Sequence, residues 1–183
     1  RWLTDSIAHN ERQSAAAHAW GRALEDAAPS PSPPKAPATK GLVSVAVGLP
    51  GSGKSTFFRR HLAALGVVHC CQDILGRSRC LALVEETVRA GKCAYVDRCD
   101  GYPEQRAPWV GIAKRCNVEV AALRFTADAP TCIQRAKARA AQGEHDSTLK
   151  SDFARLILKQ RSEAEPIGED EGFDRVYRAS EDD

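Results

Sequence analysis

Nine consecutive residues carry the plainest chemistry in this chain: Gly48-Leu49-Pro50-Gly51-Ser52-Gly53-Lys54-Ser55-Thr56. They meet the pattern G-x-x-x-x-G-K-[ST], and each part has a physical job. The glycines Gly48, Gly51 and Gly53 admit backbone conformations that other residues resist, so N–H groups can converge on an anion. Lys54 places a compact positive charge where the β- and γ-phosphates of a nucleotide would lie. Ser55 offers a hard oxygen to Mg²⁺. A helix opening here adds the positive end of its dipole. Pro50, Ser52 and Thr56 complete the candidate contacts, with Thr56 either touching a phosphate or capping and packing. ATP with Mg²⁺ is the ligand this loop is expected to bind.

A phosphate loop does not say what receives the phosphate. Asp73 follows the apolar run Val67-Val68-His69-Cys70-Cys71, and Asp97 ends the run Cys93-Ala94-Tyr95-Val96. In open parallel sheets ligands gather at the carboxyl ends of strands, so both acids are expected to face the nucleotide. Asp73 there would accept a proton from a hydroxyl attacking the γ-phosphate; read alone, it serves equally well as a turn or N-cap aspartate. Asp97 fits a Walker-B acid that holds Mg²⁺ directly or through water, against the alternative of a loop-start aspartate. Arg98 either reaches a phosphate or ribose or pairs with Asp100. Arg135 and Arg139 lie four apart on an expected helix and share a face. Over the phosphates they would neutralise transition-state charge, although spacing alone favours a solvated basic face. His145 and Asp146 form no ligand pattern.

These residues need elements to hold them. Leu42-Val43-Ser44-Val45-Ala46-Val47 is an apolar, β-branched run and reads as a buried strand, followed by a helix over 55–65. Further strands are expected over 67–71, 93–96, 118–125 and 173–177. Helices are expected over 77–90, where Cys80, Leu81, Val84 and Val88 recur at helical spacing and Gly91 caps the end; over 103–115, with proline in the first turn; over 129–141, closed by Gly143; and over 149–162. The alternation implies an α/β fold. With the phosphate loop it is expected to be of the P-loop NTPase type, with a parallel sheet of four or five strands flanked by helices.

The chain has 183 residues, enough for one domain of ordinary size with a short appendage. Residues 1–28 are expected to form a helical extension, 29–40, dense in proline, a linker, and 41–183 a P-loop kinase domain. A net charge of +2 argues neither for nor against nucleic acid. The seven cysteines include no CxxC spacing, which argues against a zinc ribbon. Their odd number and apolar settings suit buried small hydrophobes in a reducing compartment, with Cys70-Cys71 the one place to seek redox chemistry. An intracellular setting is expected, the nucleus first and an organelle second. No apolar run approaches the ~20 residues of a membrane helix, so no membrane partner is expected. The chain starts at Arg1 and contains no methionine, so it is expected to be a piece of a longer protein with further domains.

Taken together, Gly48–Thr56, Cys71-Gln72-Asp73-Ile74-Leu75-Gly76, Val96-Asp97-Arg98-Cys99-Asp100, Arg106 with Trp109-Val110, and Glu171-Gly172-Phe173 resemble the 5′-hydroxyl polynucleotide kinase domains of polynucleotide kinase–phosphatases. Similar P-loop modules occur in some RNA-repair ligases and aprataxin-like proteins. The resemblance runs from about Val43 to Tyr177. It implies that ATP donates its γ-phosphate to the 5′-OH end of DNA or RNA, that Lys54 and Ser55 serve ATP and Mg²⁺, and that Asp73 is the general base. It places Arg135 and Arg139 on the lid as phosphate clamps. Arg77, Arg79, Lys114 and Arg115 are basic residues available to a nucleic-acid groove. The chain departs from the family where Asn-Arg-Asp becomes Cys71-Gln72-Asp73 and where Asp-x-x-Asn becomes Asp97-Arg98-Cys99-Asp100. An acid at position 100 is ill-suited to facing phosphate.

Overall fold

The computed structural model of the chain describes residues 41–141 and 152–179. The expected N-terminal helix, the proline-rich linker, Gly143, His145, Asp146 and residues 149–151 lie outside this described set. Five strands form one sheet: β1 (Leu42–Val47), β2 (Val68–Cys71), β3 (Cys93–Asp97), β4 (Glu119–Phe125) and β5 (Arg175–Ala179). Their order is β2-β3-β1-β4-β5, and every pairing is parallel. Parallel neighbours require crossover connections, and helices supply them.

After β1 comes a short helix, α1 (Lys54–Phe57), which widens into a π-type turn over Phe58–Leu62 and tightens over Ala63–Leu65. The widened turn buries the consecutive rings of Phe57 and Phe58 against the sheet. One turn of helix, α2 (Gln72–Leu75), precedes α3 (Arg77–Arg89); α4 (Pro103–Cys116), α5 (Ala129–Ala141) and α6 (Phe153–Glu163) complete the set. Asp152 caps α6, its Oδ1 accepting from the Arg155 N–H at 3.1 Å. No helix among the described residues is long and apolar enough to cross a membrane.

Strand alternation divides the interior in two. From β1, Leu42 and Ala46 point to the α1 side and pack with Phe57, Phe58, Leu62, Tyr95 and Leu123. Val43, Val45 and Val47 point the other way, to Val84, Val88, Trp109 and Ile112 of α3 and α4. A strand buried on both faces is apolar at nearly every position, which is why β1 reads as an apolar run broken only by the small, buried Ser44. Register levels the strand ends: Ala46 pairs with Asp97, and Asp97 with Cys71. One edge of the sheet therefore presents the residues that follow β1, β3 and β2 side by side. The last strand starts two residues later than its apolar start suggested. Phe173 is buried outside the strand, and Asp174 meets Val120 twice, its N–H donating to the Val120 carbonyl at 2.9 Å and its carboxylate accepting from the Val120 N–H at 2.8 Å.

Candidate active site

The loop between β1 and α1 is fastened at its start by the Gly48 N–H, which donates to the Cys99 carbonyl at 3.1 Å. Gly51 and Gly53 take φ of +84° and +102°, a region costly to any residue with a Cβ. At Gly51 there is also no room, since a Cβ would sit 2.6 Å from the Cys132 carbonyl oxygen of α5. The helix α5 thus rests its first turn directly on the loop. Leu49 adds to that seat by packing into the cluster of Ala129, Cys132, Ala136 and Ile157.

Lys54 is 6% exposed and folds back into the loop. Its Nζ donates to the carbonyls of Gly48 at 2.8 Å and Leu49 at 2.7 Å, and lies 3.4 Å from Ser52 Oγ. A buried ammonium must be satisfied this way or exchange these partners for an anion. Tyr95 clamps the same residue from below, its hydroxyl donating to the Lys54 carbonyl at 3.0 Å.

Asp97, at the end of β3, is 4% exposed. His69 Nε2 lies 2.9 Å from its Oδ2, and the Ser55 hydroxyl donates to the same carboxylate. Burial opposes ionisation, but the hydrogen bonds from His69 and Ser55, with the charge of Lys54, prevail and hold the Asp97 carboxyl below the usual carboxylate range. A hydroxyl and an ionised carboxylate in contact, both hard oxygens beside a phosphate loop, form a donor set that fits Mg²⁺.

Asp73 lies in α2, immediately past β2, and is exposed beside Ile74, which is 76% exposed. Cys71, the last residue of β2, is in register with Asp97, so Asp73 leaves the sheet at the same edge as the phosphate loop. Arg135 is half-buried one turn past Cys132, and Arg139 is exposed further along α5. Of the basic residues proposed for a groove, Arg79 pairs with Glu86 at 3.3 Å and Arg115 with Glu85 at 3.0 Å.

Asp100, an acid ill-suited to facing phosphate, is buried away from solvent. Its backbone takes φ +39° and its carboxylate turns into the core, where Trp109 Nε1 donates to Oδ2 at 3.1 Å. Arg98 Nη1 sits 3.5 Å from Oδ1, so Arg98 takes the pairing alternative. Burial pushes the Asp100 carboxyl up to about 7, against the opposing pull of Arg98, Trp109 and Arg106. The folded chain therefore keeps this proton where the unfolded chain, with an ordinary value of 3.8, has lost it. Between those values unfolding releases a proton, so the stability this group provides falls as pH rises from about 4 to about 7 and is level above. Asp100→Asn, which retains an acceptor for Trp109, should gain on the parent across that window in urea unfolding. Parallel profiles would contradict the assignment.

Sequence reasoning missed two contributors, His69 and Tyr95, and gave a third, Arg106, no role. His69 as the partner of Asp97 depends on β2 lying beside β3, which no local pattern specifies. Tyr95 was seen only as part of an apolar run. Arg106, noted within the resemblance, is 0% exposed and forms a clasp. It donates to both carboxylate oxygens of Glu171 at 2.6 Å, and to the carbonyls of Asp100, Glu165 and Pro166. Its signal was the pairing of Arg106 with Glu171 in two separate stretches of the resemblance.

Comparison with known proteins agrees with this architecture. The sequence profile of the AAA domain family matches residues 76–167, half of the chain. A protein named transcription factor bHLH140 from Arabidopsis thaliana is 29% identical over 159 residues, 80% of this chain and 17% of its own length. The bifunctional polynucleotide phosphatase/kinase of Schizosaccharomyces pombe is 29% identical over 84 residues, 45% of this chain and 21% of its own length. The chain thus spans about a fifth of each relative. Among solved structures, Chaetomium thermophilum Kti12 in complex with ADP-AlF3 superposes with a TM-score of 0.58 at 14% identity, covering 77% of this chain and 90% of that one. A gluconokinase from Sinorhizobium meliloti gives 0.51 at 17% identity, covering 78% and 83%. With its five-stranded parallel sheet and phosphate loop, the chain has a P-loop kinase-like fold and belongs to the AAA domain family.

Proposed function

We propose that this domain transfers the γ-phosphate of ATP to the 5′-hydroxyl end of a nucleic acid. The observation that carries the reading is the gathering of three groups at one sheet edge. These are a lysine wrapped by its phosphate loop, a Ser55–Asp97 oxygen pair beneath it, and the exposed carboxylate of Asp73 one strand away. They match an anion site, a hard-cation site and a base open to an acceptor. The polynucleotide acceptor is supported by the motifs shared with polynucleotide kinases and by the named activity of the fission-yeast relative.

In this reading the loop N–H groups and Lys54 hold the β- and γ-phosphates, and Mg²⁺ bound at Ser55 and Asp97 would offset their charge. The 5′-oxygen forms its bond to Pγ as the bond to the bridging oxygen of ADP breaks. The hydroxyl proton passes to Asp73. Arg135 and Arg139 approach the transferring group from the lid. A module of this kind would work within a larger protein, in line with its share of the relatives' length. A second reading, a small-metabolite kinase, uses the same edge with a closed acceptor pocket.

The test uses Mg²⁺ and γ-labelled ATP with 5′-OH single-stranded RNA and DNA and a nicked duplex, beside 5′-phosphorylated controls. Label should enter only the 5′-OH ends. Lys54→Ala should lower the rate by about 10²–10³-fold, the cost of removing one preorganised donor from a transition state. ATP binding without label on any end would overturn the nucleic-acid reading and direct the search to small acceptors.

A further inference from the structure

The same edge adds to Asp97 two ligands, the imidazole of His69 and the sulfur of Cys71, that phosphate transfer to an alcohol does not call for. His69 and Cys71 are two apart on β2 and so project from one face, while Cys71 is in register with Asp97 on β3. His69 nitrogen, Cys71 sulfur and Asp97 oxygen all lie within 4.8 Å of one another. We propose that these three residues bind a thiophilic divalent cation of the Zn²⁺ class.

Several observations converge on that ion. Imidazole, thiolate and carboxylate are the three side-chain ligands zinc takes, whereas Mg²⁺ accepts oxygen alone. Tetrahedral Zn²⁺, with bonds of about 2.0–2.3 Å, needs ligand atoms roughly 3.3–3.8 Å apart. The present spread reaches that range by small side-chain rotations, widening the 2.9 Å His69–Asp97 contact and drawing Cys71 inward. The His69 ring is already oriented, stacked on Phe58 with centroids 4.2 Å apart and planes 13° from parallel. Its side chain is 27% exposed, which leaves a way in and a fourth position for water. All seven cysteines are free, so the Cys71 sulfur is uncommitted to a disulfide. On binding, sulfur gives its proton to solvent and bonds the metal, and His69 bonds through Nε2 with its remaining proton on Nδ1. The CxxC rule that argues against a zinc ribbon does not apply, because these ligands meet across two strands.

The consequence follows from shared atoms. Asp97 belongs both to this set and to the Ser55–Asp97 oxygen pair, and Cys71 is the residue from which α2, with Asp73, departs. A zinc-class ion would claim the carboxylate proposed for Mg²⁺ and pull on the root of the base-bearing turn, so it should inhibit transfer. The binding site stands independently of the kinase reading; the inhibition rests on it.

The experiment separates the two. Reduced, chelator-stripped full chain is titrated with Co²⁺ and followed by absorbance. A thiolate-to-cobalt charge-transfer band should grow to one equivalent and disappear on adding Zn²⁺. Cys71→Ser should abolish the band, Cys116→Ser should retain it, and His69→Gln should weaken Co²⁺ and Zn²⁺ binding at least about tenfold, the loss seen even for outer-shell partners. Absence of the band in the parent chain, or its persistence in Cys71→Ser, overturns the site whether or not the protein transfers phosphate. In the labelled-ATP assay at fixed Mg²⁺, Zn²⁺ should inhibit the parent at least about tenfold more strongly than Cys71→Ser, each relative to its own zinc-free rate, by the same affinity argument. Equal inhibition overturns the regulatory consequence. Absence of transfer in every zinc-free control counts against the kinase reading alone and leaves the spectra to decide the site.

Discussion

Asp73→Asn should lower kcat for 5′-end phosphorylation by about 10²–10⁴-fold, the range associated with loss of a positioned general base, with ATP affinity unchanged. The argument starts from position. Asp73 sits in the turn leaving β2, exposed, at the edge where the phosphate loop and Asp97 also emerge. It is outside the loop that grips Lys54 and outside the Ser55–Asp97 pair. Its removal should therefore leave nucleotide and cation binding intact and remove only acceptance of the acceptor's proton. Asparagine keeps size and hydrogen bonding while losing basicity. The decisive measurement is single-turnover transfer alongside ATP binding by calorimetry. Wild-type kcat in the variant would remove Asp73 from the chemistry and reduce it to a turn residue.

Arg106→Ala should destabilise the fold by about 3–5 kcal/mol, the usual cost of deleting one partner from a buried ion pair. Arg106 is wholly buried, and its guanidinium serves a bidentate carboxylate and three backbone carbonyls from two separate segments. Truncation strands Glu171 and leaves those carbonyls without a donor. Against a total stability of roughly 5–15 kcal/mol this is a large share. It should appear as a lower urea midpoint at unchanged slope and as a fall of about 10 °C in Tm. Glu171→Gln, which keeps an acceptor, should cost less. A loss below about 1 kcal/mol for Arg106→Ala would show that water replaces the clasp at little cost.

What could be read in advance followed the distance over which each property is decided. The phosphate loop and β1 were legible because a strand buried on both faces is an almost wholly apolar run and the glycines meet local steric demands. The five strands and their alternation with helices were legible for the same local reason. The pairing of His69 with Asp97 was not, since it arises only when β2 lies next to β3. The inward turn of Asp100 was also hidden. Its left-handed backbone and the indole of Trp109 take a residue that looks exposed and charged and bury it. At the last strand, Phe173 drew the expected start too early because its burial comes from the α4 side of the core. The assignments for Asp73, Arg135 and Arg139 came from the family resemblance, since spacing alone left a base and a capping residue, or a clamp and a solvated face, indistinguishable.

The clasp has a consequence for how the lid can vary. The lid helices are rooted on one side in β4, which ends at Phe125 within the sheet. On the other side, Glu163 accepts from the Tyr102 hydroxyl at 2.7 Å, and Glu171 is gripped by Arg106 across 65 residues. Both footings lie outside the segment that joins α5 to α6. Extra residues there would leave them in place, and closure entropy grows by only about 0.6 kcal/mol for each doubling of a connection's length. Insertions and deletions between α5 and α6 should therefore be among the changes this fold tolerates best, leaving the length of that connection to diverge while the sheet edge stays fixed.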